Sequence, residues 1–148
     1  MSVWVNGLAK WEWIAHLTFR YEASLWSAQR QMEKFWVDVA EGLSWFYAIE
    51  QNPSRDGHHI HALIANPREL RRRAIWKAWF ERYGRNRIEP VRSLDDVSCY
   101  CAKYVCKERA WWDVHLDPTA HHLARARAGA GSPVDHQRSE ELQLIALE

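Results

Sequence analysis

The sequence predicts an α+β protein in which helices cover one face of an antiparallel β-sheet and leave the other face open. Segments rich in branched and aromatic residues alternate with segments of helical periodicity, in the order β-α-β-β-α-β-α. The second and third strand segments are separated only by residues 52–57, which include Asn, Pro, Ser, Asp and Gly. Such a loop is typical of an antiparallel hairpin. These two observations together predict the fold class.

Composition limits the kind of protein this is. With 148 residues, 47% of them hydrophobic, and ten Trp, the chain can form one domain with its own core, which excludes a disordered protein. Apolar runs fall well short of the roughly 20 residues that span a bilayer, and no signal-peptide pattern is present. We therefore expect a soluble, cytoplasmic protein. The three Cys lack the paired C-x-x-C pattern of a zinc site and are interpreted as thiols.

The first part of the chain predicts a strand, a helix and a second strand. Aromatic and branched residues dominate residues 11–20, whereas residues 1–10 carry little signal. Apolar residues at helical spacing predict a helix over residues 21–41, and Gly42 can adopt the left-handed conformation that ends it. Residues 43–51 then form the second strand, which leads into the hairpin loop.

The strand after the hairpin loop carries the first candidate site. On a strand, residues two apart share a face, so His59 and His61 point the same way while the apolar residues between and after them point into the core. Two adjacent imidazoles can hold a metal ion, although an isolated pair can also be merely solvated. Glu50 ends the antiparallel neighbour and is the candidate third ligand, with Gln51 as the alternative. Two His and a carboxylate suit Mn²⁺ or Mg²⁺.

The next segment is basic. Asn66 followed by Pro67 predicts a helix start, the helix runs to Tyr83, and residues 87–92 form a short strand that Pro90 places at a sheet edge. Residues 68–92 contain nine Lys or Arg against three Glu, which indicates a polyanionic partner or a solvated helix face. The candidate DNA contacts in this segment are Arg71, Arg72, Lys77, Arg87 and Arg92.

A last helix carries two tyrosines. Ser93 begins a plausible capping box, and the helix that follows has Tyr100 and Tyr104 about 40° apart at one edge of its apolar stripe. Lys103 and Lys107 are i, i+4 neighbours just outside the tyrosines. Residues 111–116 are a candidate final strand.

A divalent ion beside tyrosines and a basic helix suggests phosphodiester chemistry. The ion would polarise the phosphate, and a tyrosine would attack phosphorus to give a phosphotyrosine and a free 3′-hydroxyl. Nearby Lys103, Lys107 and the ion would favour the phenolate. The covalent link conserves the bond energy, so the strand can be rejoined without ATP, in agreement with the absence of a phosphate-binding loop from the sequence.

Three motifs in order resemble those of a known superfamily. They are W-I-A-H-L-T-F at residues 13–19, H-I-H at residues 59–61 and Y-C-A-K-Y-V-C-K at residues 100–107. This set resembles the HUH endonucleases, and more closely the two-tyrosine rolling-circle replication initiators of phages and plasmids and related transposases. The third motif follows their Y-U-x-K-Y-U-x-K form, where U is bulky or apolar, with Cys101 as a mild departure. His16, inside the first motif, is interpreted as a structural partner.

The resemblance implies a ferredoxin-like (RRM-like) sheet with the active site on its open face. It implies nicking of single-stranded DNA, often at an origin hairpin, with a 5′-phosphotyrosine link to the enzyme and a host helicase as a further partner. The roles it implies are metal binding by His59, His61 and Glu50, first attack by Tyr100, second attack by Tyr104 with the order reversible, and phosphate contact or tuning of the phenols by Lys103 and Lys107.

Two other functions remain open from the sequence. One is a non-catalytic module that binds single strands on the same sheet, and the other is a metal-dependent phosphoesterase that uses water instead of tyrosine. In each case we expect a monomer, with the HUH nuclease domain or its equivalent over residues 1–116. Residues 117–148 are expected to be a loosely ordered extension or a short helix.

Overall fold

The structure is a computed structural model that describes residues 2–39, 41–66, 70–105 and 110–118. The described elements are, in chain order, α1 (Ser2–Leu8), β1 (Trp13–Leu17), α2 (Leu25–Val39), β2 (Ser44–Gln51), β3 (His58–Ala65), α3 (Arg72–Arg82), β4 (Asn86–Pro90), α4 (Leu94–Val105) and β5 (Trp111–His115). Within these ranges, no helix combines the length and the apolar character needed to cross a bilayer.

The strands form one antiparallel sheet in the order β4-β1-β3-β2-β5. The segment from β1 to β4 runs β-α-β-β-α-β, and β5 adds to the sheet beside β2. The predicted α+β class is confirmed, and the arrangement is compatible with a ferredoxin-like (RRM-like) fold. The predicted hairpin is also confirmed, because β2 and β3 pair antiparallel along their whole length.

The first face of the sheet is covered by α2 and α3. Alternate strand residues point to this side, as the period of two requires. From α2, Met32, Phe35 and Trp36 are buried against the sheet, and from α3, Ile75 and Trp79 are buried. The strand residues of this core are Trp13, Ala15, Leu17, Trp45, Tyr47, Ile49, Ile60, Ala62, Ile64 and Ile88.

The second face is the side to which the histidines point, and the structure differs there from the fully open surface that the sequence predicts. Phe46 and Leu63 on the central strands are fully buried on this side. Val5 of α1 and Val97 of α4 pack with them in a second, smaller core. The physical reason is that large apolar side chains also alternate onto this face, so helices are needed to remove them from water.

Two helix starts differ in their outcome. The capping box of α4 is confirmed: the backbone N–H of Asp96 donates to Ser93 Oγ (3.2 Å) and the N–H of Ser93 donates to Asp96 Oδ2 (3.2 Å). The start predicted after Asn66 is wrong, because α3 begins at Arg72. The Asn66 side chain instead accepts from the N–H of Leu70 (3.0 Å) and donates to the Leu70 carbonyl (2.9 Å). Residues 67–69 lie outside the described ranges.

Gly57 ends the hairpin loop with a backbone that favours glycine. Its φ is +90°, and its carbonyl accepts from the N–H of Asn52 (2.9 Å). A Cβ at this position would lie 2.9 Å from Glu22 Cα and 3.0 Å from the backbone nitrogen of Ala23. Only glycine combines this φ with so close an approach, so the loop that holds the histidine strand is tied to the segment before α2.

We expect Tyr47→Phe to stabilise the protein. The Tyr47 side chain is fully buried, and its hydroxyl has no hydrogen-bond partner among the described residues. A buried hydroxyl without a partner costs about 1–3 kcal/mol, so the free energy of unfolding at pH 7 should rise by about 1 kcal/mol. Urea denaturation would measure this change. Tyr21→Phe is the control, because Tyr21 is exposed.

The gain should grow at alkaline pH. Burial, followed by the carboxylates of Glu33 and Asp113, raises the pKa of Tyr47 well above its usual value. The unfolded phenol therefore ionises first, near pH 10, and the wild type loses stability as pH rises further. Tyr47→Phe removes this loss. A variant less stable than wild type at both pH 7 and pH 11 would contradict the assignment.

Candidate metal and tyrosine site

Three side chains on the second face converge at one end of β2 and β3. The hairpin register pairs Glu50 directly with His59, and His61 lies two residues further along the same face. Nε2 of His61 lies 3.2 Å from Glu50 Oε2, and Nε2 of His59 lies 3.8 Å from the same oxygen. The two Nε2 atoms are 2.9 Å apart. The sequence-predicted trio is therefore brought together.

These three residues fit a single metal ion. Their donor atoms all lie within 4.8 Å of one another. Nitrogen and oxygen ligands bind first-row metals at about 2.0–2.2 Å, so donors around one ion are separated by about 3 Å or slightly more. The observed separations of 2.9, 3.2 and 3.8 Å meet this requirement. Glu50, His59 and His61 could therefore bind a metal ion, with two imidazoles and a carboxylate as ligands. We call these three residues the metal group.

Asn52 orients one of the imidazoles. Its Oδ1 lies 3.1 Å from Nδ1 of His59. An amide oxygen only accepts, so Nδ1 of His59 carries the proton and Nε2 presents its lone pair toward Glu50 and His61. The sequence pattern predicts only a turn over residues 52–57 and does not identify Asn52 as part of the site. The signal was its place in the loop that joins the two ligand strands.

We expect Asn52→Ala to weaken metal binding by about 10-fold or more, as is typical when a partner of a ligating histidine is removed. Titration calorimetry with Mn²⁺ would measure the loss. Asn52 also donates from Nδ2 to the carbonyl of Asp56 (3.0 Å), so Ala changes two contacts. Asn52→Asp keeps the acceptor for His59 and loses the loop contact. Equal losses in the two variants would contradict an orienting role.

Helix α4 brings the tyrosines to the histidines. The ring of Tyr104 stacks on that of His61, with centroids 4.5 Å apart and planes 26° apart. The ring of Tyr100 lies 6.0 Å from His61 and 4.9 Å from Tyr104. The two motifs, forty residues apart in the chain, thus form one cluster. The helical spacing that predicts a shared face for the tyrosines is confirmed.

The two phenols have different surroundings. Tyr104 is only 1% exposed, and burial, together with the Glu50 carboxylate, raises its pKa to about 12. Tyr100 is half-buried and donates from its hydroxyl to the carbonyl of Ala15 (3.2 Å). Nζ of Lys103 lies 5.2 Å from the ring centroid of Tyr104, a cation–π contact. Lys107 lies outside the described residues.

His16 belongs to the same cluster without being part of the ligand group. Its ring meets His61 edge-on, with centroids 4.5 Å apart, and lies 6.3 Å from Tyr100. Burial, with a further contribution from Arg87, lowers the pKa of His16, so the neutral ring is favoured. Sheet order explains the contact, because β1 pairs with β3 and places His16 opposite His61.

Helix α1 supports the tyrosine helix and was not predicted. Nδ2 of Asn6 donates to Ser98 Oγ on α4 (2.6 Å), and Nε1 of Trp11 donates to the carbonyl of Val5 (2.7 Å). The helix has seven residues, which is too short for a clear periodic pattern. Its contacts fix α4 over the second face.

The predicted DNA contacts are divided between the two faces. Arg72 and Lys77 belong to α3, and Arg71 immediately precedes it. Because α3 packs on the first face, these residues lie on the opposite side of the sheet from the histidines. Arg87 lies on the histidine face and is in register with His16. Arg92 follows β4 and is exposed. The structure therefore brings only part of the basic segment to the metal group.

The comparisons with known proteins do not identify the site. No protein-family model matches the chain, and no curated protein matches it. What remains is the geometry of the described residues and the order of the three motifs. Both concern the same residues on β1, β3 and α4.

Proposed function

We propose that this protein is a metal-dependent, site-specific endonuclease and strand transferase for single-stranded DNA. It nicks DNA through a tyrosine and forms a 5′-phosphotyrosine intermediate, as the resemblance to two-tyrosine HUH endonucleases implies. In this proposal it initiates rolling-circle replication of a plasmid, phage or related mobile element. It acts as a monomer at an origin hairpin, with a host helicase to open the duplex.

The observation that supports this most strongly is the contact between the tyrosines and the metal group. The Tyr104 ring stacks on His61, and the Tyr100 ring lies 6.0 Å from it. A core tyrosine needs no such neighbour, whereas a nucleophile must be held beside the group that binds the phosphate. This juxtaposition favours covalent chemistry over a sheet that only binds DNA.

Tyr100 is the first nucleophile in this proposal. Its side chain is half-buried, whereas that of Tyr104 is almost fully buried. The phenol oxygen of Tyr100 attacks phosphorus, the bond from phosphorus to the 3′-oxygen breaks, and the phenol proton ends on the departing 3′-oxygen. The reverse reaction rejoins the strand, and Tyr104 repeats the attack on a second strand. Lys103 contacts the phosphate.

The metal is Mn²⁺ or Mg²⁺ in this proposal, held by Glu50, His59 and His61. When bound, it supplies Lewis-acid polarisation of the phosphate oxygen. The chain's own residues hold the ion in position. Glu50 and the two imidazoles would bind it, and Asn52 keeps the proton of His59 on Nδ1.

The test mixes the protein with labelled single-stranded DNA of diverse sequence and Mn²⁺, followed by a denaturing gel. A protein–DNA band that is lost in EDTA would support tyrosine strand transfer. Cleaved DNA without a covalent band would favour the phosphoesterase that uses water, and would contradict the proposal. Label at either side of the cut would identify the 5′ end as the one attached.

One observation favours a second function, a non-catalytic module that binds single strands. Burial raises the pKa of Tyr104 to about 12, so this phenol is not ionised at neutral pH, and the Tyr100 hydroxyl donates to the Ala15 carbonyl. Such a module would bind DNA equally well in EDTA and in Mn²⁺ and would give no covalent band with any sequence. The same gel therefore separates the two functions.

A further inference from the structure

The outward face of α3 carries an exposed pair of stacked aromatic rings. Trp76 and Phe80 are i, i+4 neighbours with ring centroids 5.1 Å apart and planes 7° apart. They are 39% and 40% exposed, whereas Ile75 and Trp79 on the same helix are buried. We call Trp76 and Phe80 the aromatic stack. Aromatic rings of this size are usually buried in a core. A parallel pair that stays exposed therefore offers a face on which a flat ligand can stack.

The aromatic stack is held in place before any ligand arrives. Nε1 of Trp76 donates to the carbonyl of Asn86 (3.1 Å), and Nδ2 of Asn86 donates back to the carbonyl of Trp76 (3.0 Å). The Arg20 guanidinium lies 5.3 Å from the Phe80 ring centroid and donates to the carbonyls of Phe80 and Glu81. Rings fixed in this way lose little side-chain freedom when they bind a base.

The charge around the aromatic stack fits a polyanion. Residues 71–87 contain seven Lys or Arg and one Glu. Exposed cations that share the outer side of α3 or the turn after it are Arg72, Arg73, Lys77 and Arg85. Flat rings surrounded by cations suit a single nucleic-acid strand, since the bases stack on the rings and the phosphates meet the cations.

The aromatic stack lies beside the β4 edge of the sheet, and the candidate site lies on the other face beyond that edge. Asn86, which is bonded to Trp76, is followed by Arg87 on the opposite face of the sheet. Arg87 is in register with His16, and His16 is in register with His61. Adjacent strands lie about 4.8 Å apart, so Arg87 is two strands, or about 10 Å, from the metal group.

We propose that a single strand of DNA passes from the metal group over Arg87, rounds the β4 edge and stacks its bases on Trp76 and Phe80. The aromatic stack thus holds the substrate at a distance from the cut, without preference for sequence. The choice of DNA and the path to the metal group rest on the proposed function. Binding to the aromatic stack itself needs neither the metal nor the tyrosines.

The test measures binding of labelled oligothymidylate, about 16 nucleotides long, by fluorescence anisotropy in EDTA, where no cleavage occurs. Trp76→Leu and Phe80→Leu keep apolar bulk but lack a flat aromatic face. Each should weaken binding by about 5- to 150-fold, the range expected for one stacked base. Trp76→Tyr should retain most of the affinity. A thermal melt of each variant verifies that it is folded.

Trp26→Leu is the matched control. Trp26 is 71% exposed on α2, with the Arg30 guanidinium 6.0 Å from its ring centroid, so it is also an exposed aromatic beside a cation. Its replacement should leave the affinity unchanged. An equal loss in Trp26→Leu, or wild-type affinity in the Trp76→Leu, Phe80→Leu double variant, would overturn the inference. So would sedimentation showing that the aromatic stack joins two copies of the chain.

Failure of this inference is distinguishable from failure of the proposed function. A wild-type protein that binds through the aromatic stack in EDTA, yet gives no covalent band with Mn²⁺, supports the inference and contradicts the tyrosine nuclease. A wild-type protein that gives the covalent band, while the double leucine variant binds DNA as tightly as wild type, does the opposite.

Discussion

Replacing both Tyr100 and Tyr104 with Phe should reduce formation of the covalent protein–DNA band by at least about 1,000-fold, because no phenol oxygen remains to attack phosphorus. Binding of single-stranded DNA should change little, since both aromatic rings stay beside His61. The denaturing gel measures the band, and anisotropy in EDTA measures binding. The fold should survive, because Phe keeps both aromatic rings in place, although the hydrogen bond from Tyr100 to the Ala15 carbonyl is lost.

The single variants separate the two tyrosines. Tyr100→Phe alone should remove the band with a single strand as substrate, whereas Tyr104→Phe should keep the first cut and lose transfer to a second strand. Tyr21→Phe is the control, because Tyr21 is 45% exposed and lies outside the cluster. A covalent band of wild-type intensity in the double variant would exclude both tyrosines as the nucleophile, whereas cleavage that persists without a band would leave the phosphoesterase that uses water.

Replacing both His59 and His61 with Ala should abolish metal binding and, with it, cleavage. Removal of two of the three ligands leaves Glu50 alone, and a single carboxylate does not retain a first-row ion at micromolar concentration. Loss of Lewis-acid stabilisation is worth several kcal/mol, so cleavage should fall by about 1,000-fold or more. Calorimetry with Mn²⁺ and the covalent-band assay measure the two effects.

His58→Ala is the matched control for this experiment. His58 is on the same strand but points to the first face, and its Nδ1 lies 2.9 Å from the Ala23 carbonyl. Its replacement should leave the affinity for Mn²⁺ unchanged. Full cleavage by the His59, His61 double variant, or by wild type in excess EDTA, would contradict a metal-dependent site.

Strand periodicity was enough to predict the metal group. The period of two places His59 and His61 on one face, and the short hairpin brings the end of β2 beside them, so Glu50 follows from pairing alone. The register between β2 and β3 decides which of Glu50 and Gln51 lies beside the two histidines. It pairs Gln51 with His58, on the other face. Local rules succeed here because the whole group lies on two neighbouring strands.

Features that depend on packing between distant segments could not be predicted in the same way. Helical spacing shows that Tyr100 and Tyr104 share a face, but not which side of the sheet they reach. Charge identifies α3 as basic, yet its apolar residues Ile75 and Trp79 place it away from the histidines. The second face is covered in part by α1, whose seven residues have no clear periodic pattern. The burial of this face could therefore not be predicted from the sequence.

The path of α4 determines which of its residues reach the histidines. The helix follows β4 at one edge of the sheet, and Tyr100 and Tyr104 contact His61 on β3, the central strand. Two gaps of about 4.8 Å separate β4 from β3, a distance of about 10 Å. From Leu94 to Tyr100 the helix rises about 9 Å.

The number of residues between β4 and the tyrosines is therefore tied to the distance from the sheet edge to β3. A single residue inserted between Leu94 and Tyr100 would turn both phenols by about 100° around the helix axis and away from His61. The width of the sheet between its β4 edge and β3 thus sets which residues of α4 can contact His61.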